Sequence, residues 1–479
     1  MKKNLSNSYL VFLNILIIVY SLYICLSVFK EKIIVSDDLS KLYESKQVST
    51  SYFSYIYSFL DSTTMAARPV SGWITGTLIF FSRSNEYIYL LGVLFFPLSL
   101  ITIYWVAEKI LSKELASLLT LLYSCSLIGT SIQFSSIMLN SNLATIFFAL
   151  SIYYIYVREK IILSSLFFIA SILSYEIFLP LIILNLFLIK GNKKRILFLL
   201  LTSGIIILFR KVIQPGIFVN SYQRDEVGKI FEFKRVVQVA IYSVKLFFKD
   251  IFVGIYRALQ NMGNIHILEI IISFVISSVV YKVFANYDFK NTLQSFKNVG
   301  IISLISIVLG LSIFLFSSYI PTVFGFDNRN LGAIRLFYTL LMISGIVYVS
   351  IQLKLENRII SACFAVIAFL LLMTNLSVKN SWIYASQFNN ELFSKLNVAL
   401  KENHIENGDV CLKYDTFNEL RTNPNFTLRE PIFYNNWESP MLCEMNGIDS
   451  KKIHVYNVER KPDCTIVFLY QNGKMSRIK

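Results

Sequence analysis

Two adjacent carboxylates, Asp37 and Asp38, lie just beyond the end of the first long apolar segment of the chain, which runs from Tyr9 to Phe29. A carboxylate can take the proton from a hydroxyl group while that hydroxyl attacks an electrophile. An acidic pair is costly to bury in lipid, so its position beside an apolar segment indicates a function. The alternative is a solvated turn that follows a helix.

Basic residues elsewhere in the chain suggest which electrophile this base would serve. If a sugar carbon is bonded to a lipid phosphate, the leaving group is already a stable anion and needs cations rather than a general acid. Taken singly, such cations are more often topology signals or snorkelling side chains. The candidates predicted on the same face as the acidic pair are Arg68, Arg210, Lys211, Arg329 and Arg335.

The composition indicates a polytopic membrane protein. Hydrophobic residues make up 55% of the chain and charged residues only 16%, and a soluble domain of this kind would expose too much apolar surface. The net charge of +15 does not indicate nucleic acid, because the basic residues punctuate the ends of apolar segments instead of forming a contiguous tract. They are typical of topology signals and of contacts with anionic membrane lipids.

The apolar pattern predicts about eleven transmembrane helices. Lysines and arginines fall in alternate short loops, which places the N-terminus in the cytoplasm and the C-terminus outside it. The predicted spans are residues 9–29, 87–107, 114–133, 141–157, 161–174, 175–190, 196–210, 264–283, 298–319, 335–352 and 358–375.

The remaining segments are predicted to lie outside the membrane. A first outer loop, residues 30–86, contains the acidic pair and a short apolar run from Pro69 to Phe81, which we interpret as a re-entrant or juxtamembrane helix because it is too short to cross. A second large outer loop covers residues 210–264. Residues 1–379 would form the transmembrane domain and residues 380–479 a small extracytoplasmic α/β domain.

The predicted outer domain has a helix near residues 391–401 and strands at 410–414 and 465–470. It contains Cys411, Cys443 and Cys464, and an oxidising compartment would allow one disulfide among them, with the pair left open. No histidines or cysteines have the spacing of metal ligands, so neither a metal site nor a cofactor is predicted, although a divalent ion is not excluded.

The order of these features resembles a known enzyme class. A first span, an outward Asp-Asp, many further spans and an outward tail are similar to the GT-C class of membrane glycosyltransferases, and within it to the type II family of O-antigen glucosyltransferases. The family often has Gly-Arg-Pro in the first outer loop and Tyr-Gln in the bundle, where this chain has Ala-Arg-Pro and Tyr175-Glu176. The segment that carries the resemblance is Ala67-Arg68-Pro69-Val70-Ser71-Gly72-Trp73.

The resemblance implies an inverting transfer of a sugar, glucose in the closest family, from an undecaprenyl-phosphate carrier. The acceptor would be a hydroxyl of O-antigen or another surface glycan at the outer face of the bacterial inner membrane. Either Asp37 or Asp38 would be the base, and their mutual repulsion would raise one pKa. Arg68 and the later cations would hold the phosphate, Trp73 would stack on a sugar ring, and Tyr175 and Glu176 would contact the substrate.

Two other functions fit the same layout. An O-antigen polymerase or ligase would also have many spans and basic outer loops, but it would depend on arginines rather than on an acidic pair. A polysaccharide transporter would place ionisable groups at the middle of the membrane, and only Glu176 approaches that description. The sequence does not predict the sugar, the linkage or the acceptor.

Overall fold

The computed structural model describes residues 2–221, 233–289, 293–471 and 473–479, without the side chains of residues 2–7. Part of the predicted loop 210–264 therefore lies outside the described residues. The first helices are α1 Lys2–Lys30, α2 Asp37–Lys46, α3 Tyr52–Ser62, α4 Pro69–Ser82, α5 Tyr87–Leu90, α6 Phe95–Ala107, α7 Lys113–Ser124, α8 Ser131–Phe134, α9 Leu139–Tyr156, α10 Ile161–Ser174, α11 Ile182–Leu188 and α12 Asn192–Leu208. They are followed by α13 Gln214–Ile217, α14 Phe233–Lys245, α15 Ile251–Gln260, α16 Ile267–Phe284, α17 Leu293–Leu311, α18 Gly332–Gln352, α19 Asn357–Glu402, α20 Thr416–Thr422 and α21 Ser439–Met445.

Within the described ranges, eight helical segments are long and apolar enough to cross a membrane. This confirms the prediction of a helical membrane protein. The segments are Ser8–Lys30, Tyr87–Ala107, Ser136–Tyr156, Asn192–Ile217, Ile267–Phe284, Leu293–Phe316, Phe326–Gln352 and Asn357–Glu402.

The other three predicted spans, residues 114–133, 161–174 and 175–190, coincide with shorter helices. The first contains α7, which ends at Ser124 before an irregular polar stretch. The other two are the apolar helices Ile161–Ser174 and Glu176–Leu188, which are separated at Tyr175 where the backbone is extended. Eight of the eleven predicted spans thus lie on helices of membrane-crossing length.

The predicted first outer loop folds into three packed helices, α2, α3 and α4. Helix α4 has 14 residues and is about 21 Å long, shorter than a hydrocarbon core of about 30 Å. Gly72 and Gly76 let α4 approach α3 closely, since a Cβ atom at these positions would lie 2.7 Å from Leu60 and 2.8 Å from Ile56. The two glycines therefore fix the packing of the helix that carries the Arg-Pro motif.

The C-terminal region contains a four-stranded sheet with the strand order β2-β1-β3-β4. The strands are β1 Gly408–Lys413, β2 Ile453–Asn457, β3 Ile466–Gln471 and β4 Lys474–Arg477. Strand β1 pairs in parallel with β2 and β3, and β4 pairs antiparallel with β3. The predicted strands 410–414 and 465–470 match β1 and β3, whereas β2 and β4 were not predicted.

Helix α19 connects the membrane region to this sheet without a break. Its 46 residues run from Asn357 to Glu402, so the predicted domain boundary between residues 379 and 380 falls inside a continuous helix. The residues around that boundary are buried, among them Val378, Lys379 and Ser381. The sheet is therefore attached to the bundle by a packed helix and not by a linker.

A disulfide joins Cys411, in strand β1, to Cys464, which lies just before β3. Cys443 on α21 is buried and unpaired. The structure thus selects one of the three pairings that the sequence left open.

We expect peptide mapping to recover this pair. If the chain is alkylated before unfolding and digested without reductant, mass spectrometry should find a peptide containing Cys411 linked to one containing Cys464. Cys443 should be alkylated only after denaturation, because its side chain is buried. A linked peptide that contains Cys443 would contradict the observed pairing.

Candidate active site

The acidic pair lies at the first turn of α2. The preceding residues Ile33, Ile34 and Val35 are buried, and Ser36 then reverses the chain with φ 54° and ψ −128°. A non-glycine residue with positive φ is strained, and such strain is concentrated at functional sites. Both carboxylates occupy the N-terminal turn of the helix, where the helix dipole favours negative charge.

The two carboxylates have different environments. The side chain of Asp38 is buried, with 1% exposure, and its Oδ1 accepts hydrogen bonds from the Tyr89 hydroxyl at 2.7 Å and the Ile137 N–H at 3.0 Å. Burial raises the pKa of Asp38 to about 6, although these hydrogen bonds oppose the increase. The charge of Asp37 adds only a minor contribution, so the predicted repulsion is not the main cause.

Asp37 is more accessible and is paired with an arginine. Its side chain is 31% exposed, and it accepts a hydrogen bond from Nη1 of Arg329 in an ion pair between residues 292 positions apart. The guanidinium of Arg329 also lies 4.3 Å from the ring of Phe326. One predicted catalytic residue and one predicted phosphate ligand are therefore in direct contact.

Arg329 is positioned by its neighbour Asn328 in the 3₁₀ turn Phe326–Leu331, which leads into α18. The amide nitrogen of Asn328 donates to the carbonyl of Leu127 at 3.1 Å and to the hydroxyl of Thr130 at 3.0 Å. Its amide oxygen accepts from the N–H of Gly129. Because this buried side chain bonds to the 127–130 segment through both its donor and its acceptor, the turn that carries Arg329 has a fixed position.

A second ion pair joins Arg68 and Glu176. Nε of Arg68 donates to Oε2 of Glu176 at 2.6 Å, a second guanidinium nitrogen binds the other carboxylate oxygen, and the guanidinium lies 4.6 Å from the ring of Tyr175. Pro69 is the first residue of α4 and disfavours a helical conformation at Arg68, so Arg68 occupies the N-cap position of the helix. The Tyr175 hydroxyl donates to Asn330 at 2.7 Å, next to Arg329.

We call Asp37, Arg68, Tyr175, Glu176 and Arg329 the arginine–carboxylate cluster. The two arginines interact electrostatically with each other. Burial opposes the charge on Arg68, but the Glu176 carboxylate outweighs this effect and raises the pKa of Arg68. Two cations held by two carboxylates at a half-buried surface can exchange those partners for the oxygens of a phosphate.

A further predicted cation lies close to this cluster. Arg210 interacts electrostatically with Glu176 and Arg68, and its guanidinium donates to Gln214 at 3.2 Å. The structure thus brings together Asp37, Asp38, Arg68, Tyr175, Glu176, Arg210 and Arg329 from the set predicted by sequence.

Three predicted ligands are placed elsewhere. The indole of Trp73 is half-exposed on α4, where its ring lies 6.4 Å from that of Tyr52, and Lys211 is exposed. The side chain of Arg335 is fully buried and donates to the carbonyls of Tyr123 at 2.6 and 2.9 Å and of Gly129 at 2.7 Å. Arg335 binds backbone carbonyls near the end of α7, so a role in phosphate binding does not fit its position.

Sequence reasoning missed several residues of the site. Asn328 and Asn330 flank Arg329 but gave no signal of their own, and Tyr89 lay within a predicted span. Glu438, from the C-terminal region, is buried with its carboxylate accepting the N–H groups of Tyr434 and Asn435. Burial raises the pKa of Glu438 to about 7, and the charge of Asp37 adds to the increase. This places the C-terminal region near the acidic pair.

Two open cavities, of about 330 and 210 Å³, lie outside the arginine–carboxylate cluster, and neither is lined by Asp37 or Arg329. Across the part of the chain that the structure describes, no group of three or more His, Cys, Asp or Glu side chains is arranged to hold a metal ion. No family model matches the chain, and no curated protein matches it. A functional conclusion therefore depends on the geometry of the cluster.

The buried carboxylate makes a pH-dependent contribution to stability. Because the pKa of Asp38 is raised from 3.8 to about 6, the folded state binds the proton more tightly and loses stability as pH rises through this window. Asp38→Asn has no such loss. Its free energy of unfolding should therefore exceed that of the parent at pH 8, by an amount on the order of 2–3 kcal/mol, and approach that of the parent near pH 4.5.

Asp38→Ala is the matched comparison. It removes the acceptor for the Tyr89 hydroxyl and the Ile137 N–H, which should make it about 1–3 kcal/mol less stable than Asp38→Asn at every pH, since neither variant has an ionisable group at this position. Unfolding of detergent-purified variants would be followed between pH 4.5 and 8. An Asp38→Asn variant less stable than the parent at pH 8 would contradict the effect of burial.

Proposed function

We propose that this chain is an inverting glycosyltransferase that moves a sugar, glucose in the family it resembles, from an undecaprenyl-phosphate carrier to a glycan hydroxyl. The acceptor is O-antigen or another surface glycan, and the reaction takes place at the outer face of the bacterial inner membrane. The observation that carries this proposal is the contact of the accessible carboxylate Asp37 with Arg329, beside the second arginine, Arg68.

Asp37 is the better candidate for the base. It is partly exposed at the start of α2, whereas Asp38 is enclosed and its Oδ1 already accepts two hydrogen bonds. In the proposed reaction the acceptor oxygen forms a bond to the anomeric carbon, and the bond from that carbon to the phosphate oxygen breaks. Asp37 takes the hydroxyl proton, and the electron pair leaves with the lipid phosphate. Asp38 would orient the first turn of α2.

Arg329 and Arg68 would bind the leaving phosphate. Each is held by a carboxylate, and a phosphate that replaces those partners would receive charge-assisted hydrogen bonds from both guanidinium groups. Transfer of Arg329 from Asp37 to the phosphate would also release the carboxylate for proton transfer. Donor binding and activation of the base are coupled in this scheme because one arginine serves both.

The disulfide supports an extracytoplasmic site. Cys411 and Cys464 pair in the same region whose helix α21 packs against α2, where Lys46 and Glu444 form an ion pair at 3.0 Å. Disulfides persist in oxidising compartments. Since α2 carries Asp37 and contacts this region, both belong on the same side of the membrane, where polyprenyl-linked donors replace nucleotide sugars.

Loss of the base should abolish transfer. Asp37→Asn keeps the size of the side chain but removes its negative charge, so we expect the rate to fall by about 10²- to 10⁴-fold. The measurement is mass spectrometry of the surface polysaccharide for one added hexose, with membrane abundance of the variant as control. If this variant transfers sugar at the parental rate, Asp37 is not the base. That result would favour the polymerase or ligase alternative, which depends on arginines rather than on an acidic pair.

The arginines should be required in a different way. Arg329→Ala and Arg68→Ala should each lower transfer by about 10²- to 10³-fold, and lysine should restore only part of it because it lacks the paired donors of guanidinium. Arg358→Ala, an exposed arginine at the first turn of α19, is the matched control. Parental transfer in both cluster variants would show that neither guanidinium acts on the donor.

A further inference from the structure

A second polar cavity lies apart from the arginine–carboxylate cluster. It has a volume of about 210 Å³, and five of its seven lining residues carry side-chain amides, while none is charged. The lining residues are Asn261, Asn264, Asn380, Ile383, Tyr384, Gln387 and Asn425. Three parts of the chain contribute to it: the connection between α15 and α16, the middle of α19, and the loop before α21.

Hydrogen bonds within the wall hold the asparagines in place. The side-chain nitrogen of Asn264 donates to Oδ1 of Asn425 at 3.1 Å and to Oδ1 of Asn261, while Nδ2 of Asn380 donates to the backbone carbonyl of Asn264 at 2.9 Å. The side chain of Asn261 is only 5% exposed. Three separate segments are thereby joined around one concave surface.

These bonds leave several polar groups without a partner among the described residues. They include Oδ1 of Asn380, Nδ2 of Asn425 and the whole side-chain amide of Gln387, which is exposed. The ring of Tyr384 adds an aromatic surface, and its hydroxyl accepts from Asn423 at 3.2 Å. The cavity therefore offers both donors and acceptors beside an aromatic ring.

We propose that this amide-lined cavity binds an uncharged saccharide. Sugar hydroxyls donate and accept hydrogen bonds at once, as carboxamides do, and the apolar face of a sugar ring packs on aromatic rings. A phosphate or a carboxylate ligand would instead require cations, and none lines this cavity. The volume is below that of pockets for drug-sized ligands, so it would hold about one sugar unit of a chain.

The amide-lined cavity is distinct from the proposed catalytic centre. Asn380, Ile383, Tyr384 and Gln387 share one face of α19 through their spacing of three and four residues. Trp382 points to the opposite side of the helix, where its ring lies 5.5 Å from that of Phe134 and 6.4 Å from that of Phe326. The ring of Phe326 in turn contacts the guanidinium of Arg329. The two sites therefore lie on opposite sides of one helix.

Such a site would bind a glycan whether or not the chain transfers a sugar to it. When one unit of a polymer is bound at the amide-lined cavity, the effective concentration of its other units rises at any second site on the same protein. The proposal therefore goes beyond the transferase reaction and can be tested by binding alone.

The test uses the full chain in lipid nanodiscs on an array of neutral and sulfated oligosaccharides. Asn380→Ala with Gln387→Ala should bind the neutral oligosaccharides at least tenfold more weakly than the parent. Gln352→Ala, an exposed glutamine at the end of α18, is the matched control and should bind like the parent. Binding is measured without a sugar donor, so its outcome does not depend on whether transfer occurs.

Gln387→Ala alone distinguishes a loss of binding from misfolding. The Gln387 amide makes no hydrogen bond to another described residue, so its removal should not affect the fold. It should weaken binding in the same direction by a smaller factor, at an unchanged melting temperature. The proposal is overturned if no neutral oligosaccharide binds, if sulfated ones bind more tightly, or if the double variant binds as the parent does.

Discussion

The ion pair between Asp37 and Arg329 is the interaction on which the site depends. It joins the start of α2, near the N-terminus, to the turn before α18, and pairs a mostly buried guanidinium with a partly exposed carboxylate. Removal of Asp37 would leave the charge of Arg329 without its carboxylate partner in a mostly buried position. The site can therefore form only when both segments are packed in place. Hydrogen bonds of Asn328 hold the turn that carries Arg329, and the buried residues Ile33–Val35 hold the start of α2.

The buried polar stretch after α7 explains why a continuous apolar run does not become a continuous helix. Backbone groups released by a break inside a bundle must find new partners. Gln133 donates to the carbonyl of Ser124 at 2.9 Å, Asn142 donates to the carbonyl of Ile132 at 3.0 Å, and Arg335 takes the carbonyls of Tyr123 and Gly129. The break in turn supplies the segment to which Asn328 is bonded.

Apolar helices could be predicted because length and hydropathy determine them locally. The acidic pair, Arg68 and Arg329 could be selected because charge beside a span is costly in lipid. The distinction between Arg329 and Arg335 could not, since the two lie six residues apart in one segment and differ only in what surrounds them. Arg329 meets a carboxylate 292 positions away, whereas Arg335 meets carbonyls at the end of a helix.

The C-terminal region shows the same limit. Strands β1 and β3 contain central apolar runs and were predicted. Strand β2 has only five residues, too few for its alternating burial to stand out in the sequence, and β4 has four residues that are mostly exposed. The domain boundary at 379/380 was drawn from a change of composition. A helix can continue through such a change if one face remains packed, as α19 does with Trp382, Phe388 and Leu392.

Helix α19 also makes the position of the C-terminal sheet responsive to the bilayer. Its 46 residues correspond to about 69 Å, more than twice a hydrocarbon core of about 30 Å, and no break separates the lipid-facing half from the half that bears the sheet. A rigid rod transmits tilt along its whole length. Where a thinner membrane forces α19 to lean, the sheet and the amide-lined cavity descend towards the headgroups, so lipid thickness sets their height above the bilayer.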